Sequence, residues 1–298
     1  MKKYNINKEL KTLRYFNPPI NKLVIGGASF LSRLLPKCIN KSKYVVEYFK
    51  IGKIKYHIIT PKEYLNEKLP LIFYTHGGGF VFRAFPYHYM TEAKYSSLSK
   101  CKVVGVDYSI SPKAKYPTAL NECLDGLNYL MNNKDKYKLD NNIILAGDSA
   151  GGLLALDTYL NRDKDLNLNI KGLMLIYPVC DNSSEYESMK KFTDTPCWNS
   201  VKNEKMWKYY LGDKEYISPI NRIEEFEDKD LKVYIETCEF DCLLDQDLKL
   251  AELLTKNGID VLLNHTKETF HGSDCNTKAN IIIEAFNKRI EFLNKVIY

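Results

Sequence analysis

Short apolar runs alternate with helical patterns along most of the chain from residue 44 onward. Several of these runs are unbroken, among them LIFYT, VVGVDY, IILAG and LMLIYP. Unbroken runs are typical of strands that are covered on both faces, as in a parallel sheet flanked by helices. The pattern predicts eight strands: Tyr44–Phe49, Lys53–Thr60, Leu71–Thr75, Lys102–Tyr108, Asn142–Ala146, Gly172–Tyr177, Lys232–Glu236 and Val261–Asn264.

Helical periodicity fills the intervals between these strands. In the last interval, apolar residues recur at helical spacing from Ile281 to Leu293. The regular alternation of strand and helix predicts a doubly wound α/β sheet. The first two strands, joined by the short Ile51-Gly52 link, predict an antiparallel hairpin at the edge of that sheet. Helices are predicted near residues 89–99, 117–132, 149–161, 244–257 and 277–296.

Two segments do not fit the alternation. Residues 1–42 have a helical pattern and precede the first strand. Residues 181–217 separate the sixth strand from the seventh and contain both tryptophans, Trp198 and Trp207. An excursion of this length from the carboxyl end of a strand is typical of a lid over a site.

Composition narrows the class of protein. The chain has 298 residues and is 45% hydrophobic, which is enough for a large core and excludes a disordered or low-complexity protein. It has eight cysteines but no CxxC pair, and its five histidines are not clustered. Reduced, mostly buried thiols, a cytoplasmic location and no metal site are therefore predicted. The apolar stretch Leu23–Leu35 is interrupted and falls short of a membrane span, so it predicts an amphipathic helix.

The positive charge is concentrated at the start of the chain. Residues 1–56 hold 13 Lys or Arg and only two acids, although the net charge of the whole chain is +6. The simpler interpretation is a solvated lysine surface. The alternative is a weak contact with an anionic membrane surface, or the guidance of acidic substrates. No nucleic-acid partner is predicted, and the pattern leaves the oligomeric state open.

The segment with the clearest chemistry is GDSAGG at residues 147–152. It matches GxSxG between a predicted strand and a predicted helix. A nucleophilic serine there must sit on a sharp turn, so the flanking positions have no room for side chains. The helix that follows presents free N–H groups, which favour developing negative charge. The motif predicts Ser149 as a nucleophile, and a glycine-rich helix cap is the alternative.

A second glycine motif, HGGG at residues 76–79, ends the third predicted strand. Glycine lets the backbone approach a substrate closely, as the N–H groups of an oxyanion hole must. A flexible turn or a phosphate cradle would be the alternative, but no lysine follows at P-loop spacing.

HGGG followed after 73 residues by the serine of GDSAGG resembles the hormone-sensitive-lipase-like family of esterases, the group of bacterial acetyl esterases and arylacetamide deacetylases. The resemblance covers roughly residues 44–298. It implies the α/β-hydrolase fold with an eight-stranded, mostly parallel sheet, and it implies no cofactor. It also implies a catalytic domain at residues 43–298 and a helical cap made of residues 1–42 and the insertion 181–217.

The family's functional residues map onto this chain one by one. The resemblance implies Ser149 as nucleophile and the backbone N–H groups of Gly78, Gly79 and Ala150 as the oxyanion hole. The family's D-P-L-x-D stretch corresponds to residues 241–245, with cysteine in place of proline, and implies Asp241 as the acid. The H-G-F turn corresponds to residues 271–273, with serine in place of phenylalanine, and implies His271 as the base.

The family's Y-R-L-A-P-E stretch corresponds to residues 108–113, which lack the Arg and the Glu. We expect this stretch to support the HGGG loop and to take no part in the chemistry.

The order of residues along the chain supports the same choices. The fold requires the serine, then the acid, then the histidine. Only His265 and His271 follow Ser149, and the former falls at the end of a strand while the latter falls in the loop beyond it. Glu239 is the nearest competitor of Asp241 and is interpreted as a solvated loop charge.

These predictions describe a serine carboxylesterase for small-molecule esters with short or medium acyl chains. An amidase or deacetylase with the same triad, or a lipase for longer chains, is the alternative. A non-enzymatic receptor on this fold would lack the histidine, which is present. Substrate contacts are predicted for the aromatic side chains near the HGGG loop and in the insertion, namely Phe80, Phe82, Trp198 and Trp207, although the first two could equally be core.

Overall fold

The structure is a computed structural model that describes residues 3–35, 37–166 and 168–298. Its strands are β1 Tyr44–Ile51, β2 Ile54–Pro61, β3 Leu69–Thr75, β4 Lys102–Val106, β5 Leu139–Asp148, β6 Ile170–Ile176, β7 Lys232–Phe240 and β8 Asp260–Phe270. Its α-helices are α1 Lys22–Leu34, α2 Pro86–Leu98, α3 Thr118–Asn132, α4 Ala150–Leu160, α5 Glu187–Lys191, α6 Ser200–Leu211, α7 Leu244–Lys256 and α8 Asn280–Ile297.

All eight strands form one sheet in the order β1-β2-β4-β3-β5-β6-β7-β8. The β1–β2 and β2–β4 pairs are antiparallel and every other pair is parallel. The predicted mostly parallel sheet and the predicted edge hairpin are therefore confirmed. The strand β8 is longer than predicted and extends to Phe270, which directly precedes the candidate histidine.

The unbroken apolar strands are buried on both faces. Every residue of β3 is buried, and its side chains alternate between two cores. Leu71 and Phe73 belong to a core shared with α3, α4 and α7, whereas Ile72 and Tyr74 belong to one shared with α2 and α8. Two-sided burial explains why these strands lack the alternation of polar and apolar residues that a half-exposed sheet would show.

The parallel arrangement brings the carboxyl ends of several strands to the same edge of the sheet. The strand β3 ends just before the HGGG motif, and β5 ends at the residue before Ser149. Asp241 follows β7, and His271 follows β8. A crevice at this edge is where open α/β sheets place their ligands.

The two segments that break the alternation carry helices of their own. The helix α1 lies in the N-terminal segment, of which residues 1, 2 and 36 are outside the described residues, and α5 and α6 lie in the insertion 181–217. Five of the eight cysteines are buried, as predicted for most of them. No helix among the described residues combines the length and apolarity that a membrane crossing would require.

Candidate active site

Ser149 sits at the sharp turn between β5 and α4. Its backbone has φ +54° and ψ −120°, a conformation that side-chain-bearing residues rarely adopt. A Cβ on Gly147 would lie 2.4 Å from the carbonyl oxygen of Gly151, and a Cβ on Gly151 would lie 1.9 Å from that of Thr75. Both positions of the GxSxG motif must therefore be glycine for the turn to close.

The Ser149 side chain forms a continuous chain of contacts with a histidine and an aspartate. Its Oγ lies 2.7 Å from Nε2 of His271, and the Nδ1 of this ring lies 2.7 Å from Oδ2 of Asp241. All three residues are buried. The backbone N–H of Leu243 donates to the other oxygen of Asp241 over 3.0 Å, which holds the carboxylate in place.

The competing residues lie elsewhere. His265 is within β8, with its Nδ1 2.9 Å from the hydroxyl of Thr237. Glu239 accepts a hydrogen bond from the backbone N–H of Glu268. Asp245 is in the first turn of α7, where its carboxylate accepts the backbone N–H of Ser188. Of the histidines that follow the serine, only His271 contacts it.

Three backbone N–H groups close to Ser149, along the chain or in the same cavity, have no acceptor among the described residues. Within the described part of the chain, no hydrogen bond is donated by the amides of Gly78, Gly79 or Ala150. Gly77, by contrast, donates its N–H to Oδ1 of Asp148 over 2.9 Å. Gly78 and Gly79 have φ values of +126° and +58°, so the loop depends on their lack of side chains. The amide of Gly77 is thus occupied by a protein acceptor, whereas the amide of Gly78 is free to donate to a substrate oxygen.

A cavity of about 380 Å³ opens beside Ser149 and His271. One wall comes from the N-terminal segment and consists of apolar residues, namely Leu13, Phe16, Pro18, Ile20, Val24 and Ala28. The insertion contributes Cys197, Trp198 and Lys202. The two segments also contact each other, because the N–H of Cys197 donates to the carbonyl oxygen of Phe16 over 2.6 Å.

Residues 72–274 match the model of a protein family described as having the alpha/beta hydrolase fold. The chain belongs to the α/β-hydrolase family. The sequence-based prediction of this fold, within the group of hormone-sensitive-lipase-like esterases, is thereby confirmed.

Proteins from a virus, a bacterium and a fungus are similar to this chain in sequence or in structure. A putative alpha/beta hydrolase of Acanthamoeba polyphaga mimivirus is 29% identical over 220 residues, which is 72% of this chain. The match spans only 63% of that relative's length. The structure of the esterase LipW from Mycobacterium marinum superposes with a TM-score of 0.89 at 20% identity, over 99% of this chain and 96% of that one. One of two fungal esterases from Rhizomucor miehei gives 0.85 at 26% identity, over 98% and 96%.

Of the four aromatic residues predicted to contact substrate, two line the cavity of this α/β-hydrolase and two do not. Phe82 and Trp198 line the cavity. Phe80 is only 1% exposed and stacks on Tyr210 with ring centroids 3.8 Å apart. Trp207 packs against the same tyrosine. Phe80 and Trp207 are not among the cavity-lining residues, because both rings are buried against neighbouring aromatic side chains.

Sequence reasoning missed the role of Asp148, which supports the HGGG loop. Burial would raise the pKa of this carboxyl, but the charge of His88 and hydrogen bonds from His88, Tyr74 and the Gly77 amide outweigh it and lower the pKa to about 2. The Tyr74 hydroxyl donates over 2.6 Å, and Nε2 of His88 lies 3.4 Å away. The sequence shows the aspartate of GDSAGG, but its partners belong to β3 and α2, and no sequence pattern predicts that they contact it.

The stretch at residues 108–113 lies behind the HGGG loop, as expected from the resemblance. The Tyr108 hydroxyl donates to the carbonyl oxygen of His76 over 2.7 Å, and the two rings stack 4.3 Å apart. The backbone N–H of Ser111 donates to the carbonyl oxygen of Phe80 over 2.7 Å. Burial and the nearby His88 lower the pKa of His76 to about 4. This histidine is therefore a neutral structural residue near pH 7.

Proposed function

We propose that this α/β-hydrolase hydrolyses carboxylic esters through an acyl-enzyme intermediate on Ser149. The observation that carries the proposal is the buried chain of two 2.7 Å contacts from Ser149 through His271 to Asp241. A serine hydroxyl is a weak nucleophile, and an adjacent oriented base is the usual means of activating it. Two of the solved structures similar to this chain are named esterases, which favours an ester as substrate.

The geometry supports one sequence of proton transfers. With a proton on Nδ1, His271 donates to Asp241 and leaves Nε2 free to take the proton of Ser149. As that proton leaves, the serine oxygen attacks the carbonyl carbon of the ester. The imidazolium then gives the proton to the departing alcohol oxygen. A water molecule repeats the attack on the acyl group, again with His271 as base, and restores the serine.

The tetrahedral intermediate carries a negative charge on the former carbonyl oxygen. We assign its stabilisation to the amides of Gly78, Gly79 and Ala150, which have no acceptor among the described residues. Loss of one donor of this kind typically costs about 10²–10³ in rate.

Residues 1–42 and 181–217 are proposed to act together as a cap on the catalytic domain 43–298. Both segments supply residues to the lining of the cavity that contains Ser149 and His271. A cavity of about 380 Å³ suits an ester with a short or medium acyl chain. Long-chain fats would need the cap to move away.

A weak contact with an anionic membrane surface is a secondary proposal, and it is supported by α1. Four large apolar residues of this helix are exposed: Leu23, Phe30, Leu31 and Leu34. The surrounding stretch, residues 10–46, contains seven Lys or Arg and no acid. An apolar face flanked by basic residues is the pattern of helices that lie in the membrane interface.

Turnover of 4-nitrophenyl esters from acetate to palmitate, with 4-nitroacetanilide alongside, tests the main proposal. We expect the highest kcat/KM at short or medium chains, with little turnover of the anilide. Turnover of the anilide at rates comparable to the esters would assign the site to an amidase or deacetylase instead. A maximum at palmitate would assign it to a lipase, and no turnover of any compound would refute the proposal.

A further inference from the structure

Lys202 lies in the first turn of α6 and lines the cavity beside the serine. The residue is only 8% exposed. Its ammonium group donates to the carbonyl oxygen of Cys197 over 2.7 Å. Of the described residues that line this cavity, it alone is a lysine or arginine. The lining is otherwise predominantly apolar, so Lys202 places a positive charge at an apolar surface.

No carboxylate in the described part of the chain forms an ion pair with Lys202. Its ammonium group lies near the backbone carbonyl and the thiol of Cys197, and burial lowers the pKa of this group. Its backbone belongs to the N-terminal turn of a helix, where the helix dipole disfavours a further positive charge. Buried charges are normally paired, because an unpaired one loses its hydration without compensation. The ammonium has three donors, and one carbonyl satisfies only one of them.

A short series of contacts joins this lysine to the reacting groups. The carbonyl partner of its ammonium belongs to Cys197, whose Sγ would lie 3.0 Å from a Cβ on Gly272, the residue after the candidate base. The next residue, Trp198, packs so closely on the HGGG loop that a Cβ on Gly79 would lie 2.3 Å from its ring. The lysine therefore lies in the part of the cavity wall that packs against the HGGG loop and against the residue after His271.

We propose that Lys202 binds an anionic group of the substrate, so that the preferred esters carry a carboxylate a few bonds from the scissile carbonyl. This inference rests on the proposed ester hydrolysis and adds the chemical class of the substrate. Asp148, the only acid among the described residues that line the cavity, is held by His88, Tyr74 and the Gly77 amide, so it does not compete for the lysine. A substrate carboxylate would supply the missing counter-charge, and its ammonium contact would be a charge-assisted hydrogen bond.

The carboxylate could belong to either side of the ester, and two matched pairs of compounds distinguish the sides. On the acyl side, mono-4-nitrophenyl adipate is compared with its neutral methyl ester. On the alcohol side, 4-carboxyphenyl butyrate is compared with 4-carbamoylphenyl butyrate. The quantity measured is the ratio of kcat/KM for the charged compound to kcat/KM for the neutral one, at low ionic strength.

We expect this ratio to exceed one in at least one pair for the unmodified protein. In Lys202→Met, which keeps the length of the side chain and removes the charge, the ratio should fall by about 10- to 100-fold, the usual range for a hydrogen bond to a charged group. Lys202→Arg should retain the preference. Lys208→Met removes an exposed lysine from the same helix and serves as the control for net charge, with no change in the ratio expected.

A ratio below one in both pairs, or a ratio that Lys202→Met leaves as it was, would overturn the inference. If none of the four esters is hydrolysed, the proposed function fails, and the inference is then tested by calorimetric binding. In that case 4-acetamidobenzoate should bind more tightly than 4-acetamidobenzamide to the unmodified protein but not to Lys202→Met, and equal binding of the two compounds to the unmodified protein would refute it. Thermal unfolding of each variant establishes that it is folded, and Lys202→Gln replaces Lys202→Met if the latter is not.

Discussion

The edge of the sheet and the proposed cap of residues 1–42 and 181–217 hold their residues in place by different means. At the edge, backbone groups approach so closely that added methyl groups on Gly147 and Gly151 would clash with carbonyl oxygens. In the proposed cap, Leu23 and Phe30 of α1 are 86% and 65% exposed. The N-terminal segment meets the insertion through hydrogen bonds at Lys3, Tyr4 and Phe16. We therefore expect the chemistry to depend on the closely packed edge of the sheet and selectivity to depend on the proposed cap.

This difference has a physical origin. A strand in a parallel sheet is fixed by hydrogen bonds on both sides and by two apolar cores. The first residues of the loop that follows it are therefore also fixed in position. A short helix that packs through one face has fewer constraints. Substitutions at the edge should consequently act on the rate of catalysis, and those in the cap should act on the choice of substrate.

The largest effect is expected at the nucleophile and the base. Ser149→Ala and His271→Ala should each lower kcat by about 10⁵–10⁶ because members of a triad act as a unit. His265→Ala should have a small effect, since that ring contacts Thr237 and lies within β8. The measurement is single-turnover and steady-state hydrolysis of 4-nitrophenyl butyrate. The opposite ranking of the two histidines would move the base away from His271.

The next effect concerns Gly79, where the edge and the cap touch. A Cβ there would lie 2.3 Å from the ring of Trp198, and the φ of +58° is unfavourable for alanine. Gly79→Ala should lower kcat/KM by about 10²–10³ through displacement of an oxyanion-hole donor. Adding Trp198→Ala should restore part of the activity, because it removes the clash.

Gly26→Ala in α1 is the matched control for that substitution. A Cβ at this position would meet nothing within 4 Å. The change should leave kcat/KM unaltered and stabilise the helix by up to about 1 kcal/mol. A loss of activity comparable to that of Gly79→Ala would mean that the cap is as tightly constrained as the edge.

Trp198 should control acyl-chain length. Trp198→Ala removes a wall of the cavity, so the ratio of kcat/KM for octanoate to kcat/KM for acetate should rise about tenfold, within the usual range for added methylenes in a pocket. Trp207→Ala is the control: it removes a buried ring outside the cavity lining, so it should cost about 3 kcal/mol of stability without changing the ratio. Equal shifts of the ratio in the two variants would contradict the assignment.

The contact between α4 and the insertion is expected to make protein stability depend on pH, through the carboxyl of Asp157. Burial raises the pKa of this carboxyl to about 7, against the opposing influence of Tyr216 and Arg222. A folded-state pKa above the unfolded value of 3.8 means that stability declines as the pH rises from about 4 to 7. Asp157→Asn should therefore be more stable than the unmodified protein at pH 8, by up to about 4 kcal/mol, and should lose this advantage near pH 4.

Thermal unfolding across this pH range provides the measurement for Asp157. The hydroxyl of Tyr216 donates to Oδ2 of Asp157 over 3.0 Å, so Tyr216→Phe should increase the pH dependence by removing a bond that favours the ionised form. A stability difference between Asp157→Asn and the unmodified protein that is constant with pH would show that the carboxyl does not titrate.

The smallest effect concerns the outer face of α1. Leu23→Ser combined with Phe30→Ser should lower binding to vesicles with 30% anionic phospholipid by roughly tenfold, since two exposed apolar side chains are removed. Leu263→Ser, at an exposed apolar position of β8, should not change binding. Co-sedimentation gives the partition coefficient. Equal binding of all variants, or no binding by the unmodified protein, would refute the proposed membrane contact.

Much of the fold could be predicted from the sequence because its signals are local. Unbroken apolar runs reveal strands buried on both faces, and the glycines of GDSAGG and HGGG reveal turns that tolerate no side chain. Chain order leaves His265 and His271 as candidates for the base, and the position of His271 in the loop beyond the strand favours it. These inferences need only the chemistry of each residue and its immediate neighbours, which is why the sheet, the hairpin and the positions of the motifs were predictable.

The remaining features depended on packing between distant segments. Phe80 and Phe82 are two residues apart, yet one stacks on Tyr210 in the core and the other lines the cavity. The partners of Asp148 come from β3 and α2. That Lys202 has no carboxylate partner among the described residues is known only from the structure around it. The sequence by itself determined which groups could react and in which order they occur. Only the tertiary structure decided which side chains share the cavity, because burial and pairing are properties of several segments at once.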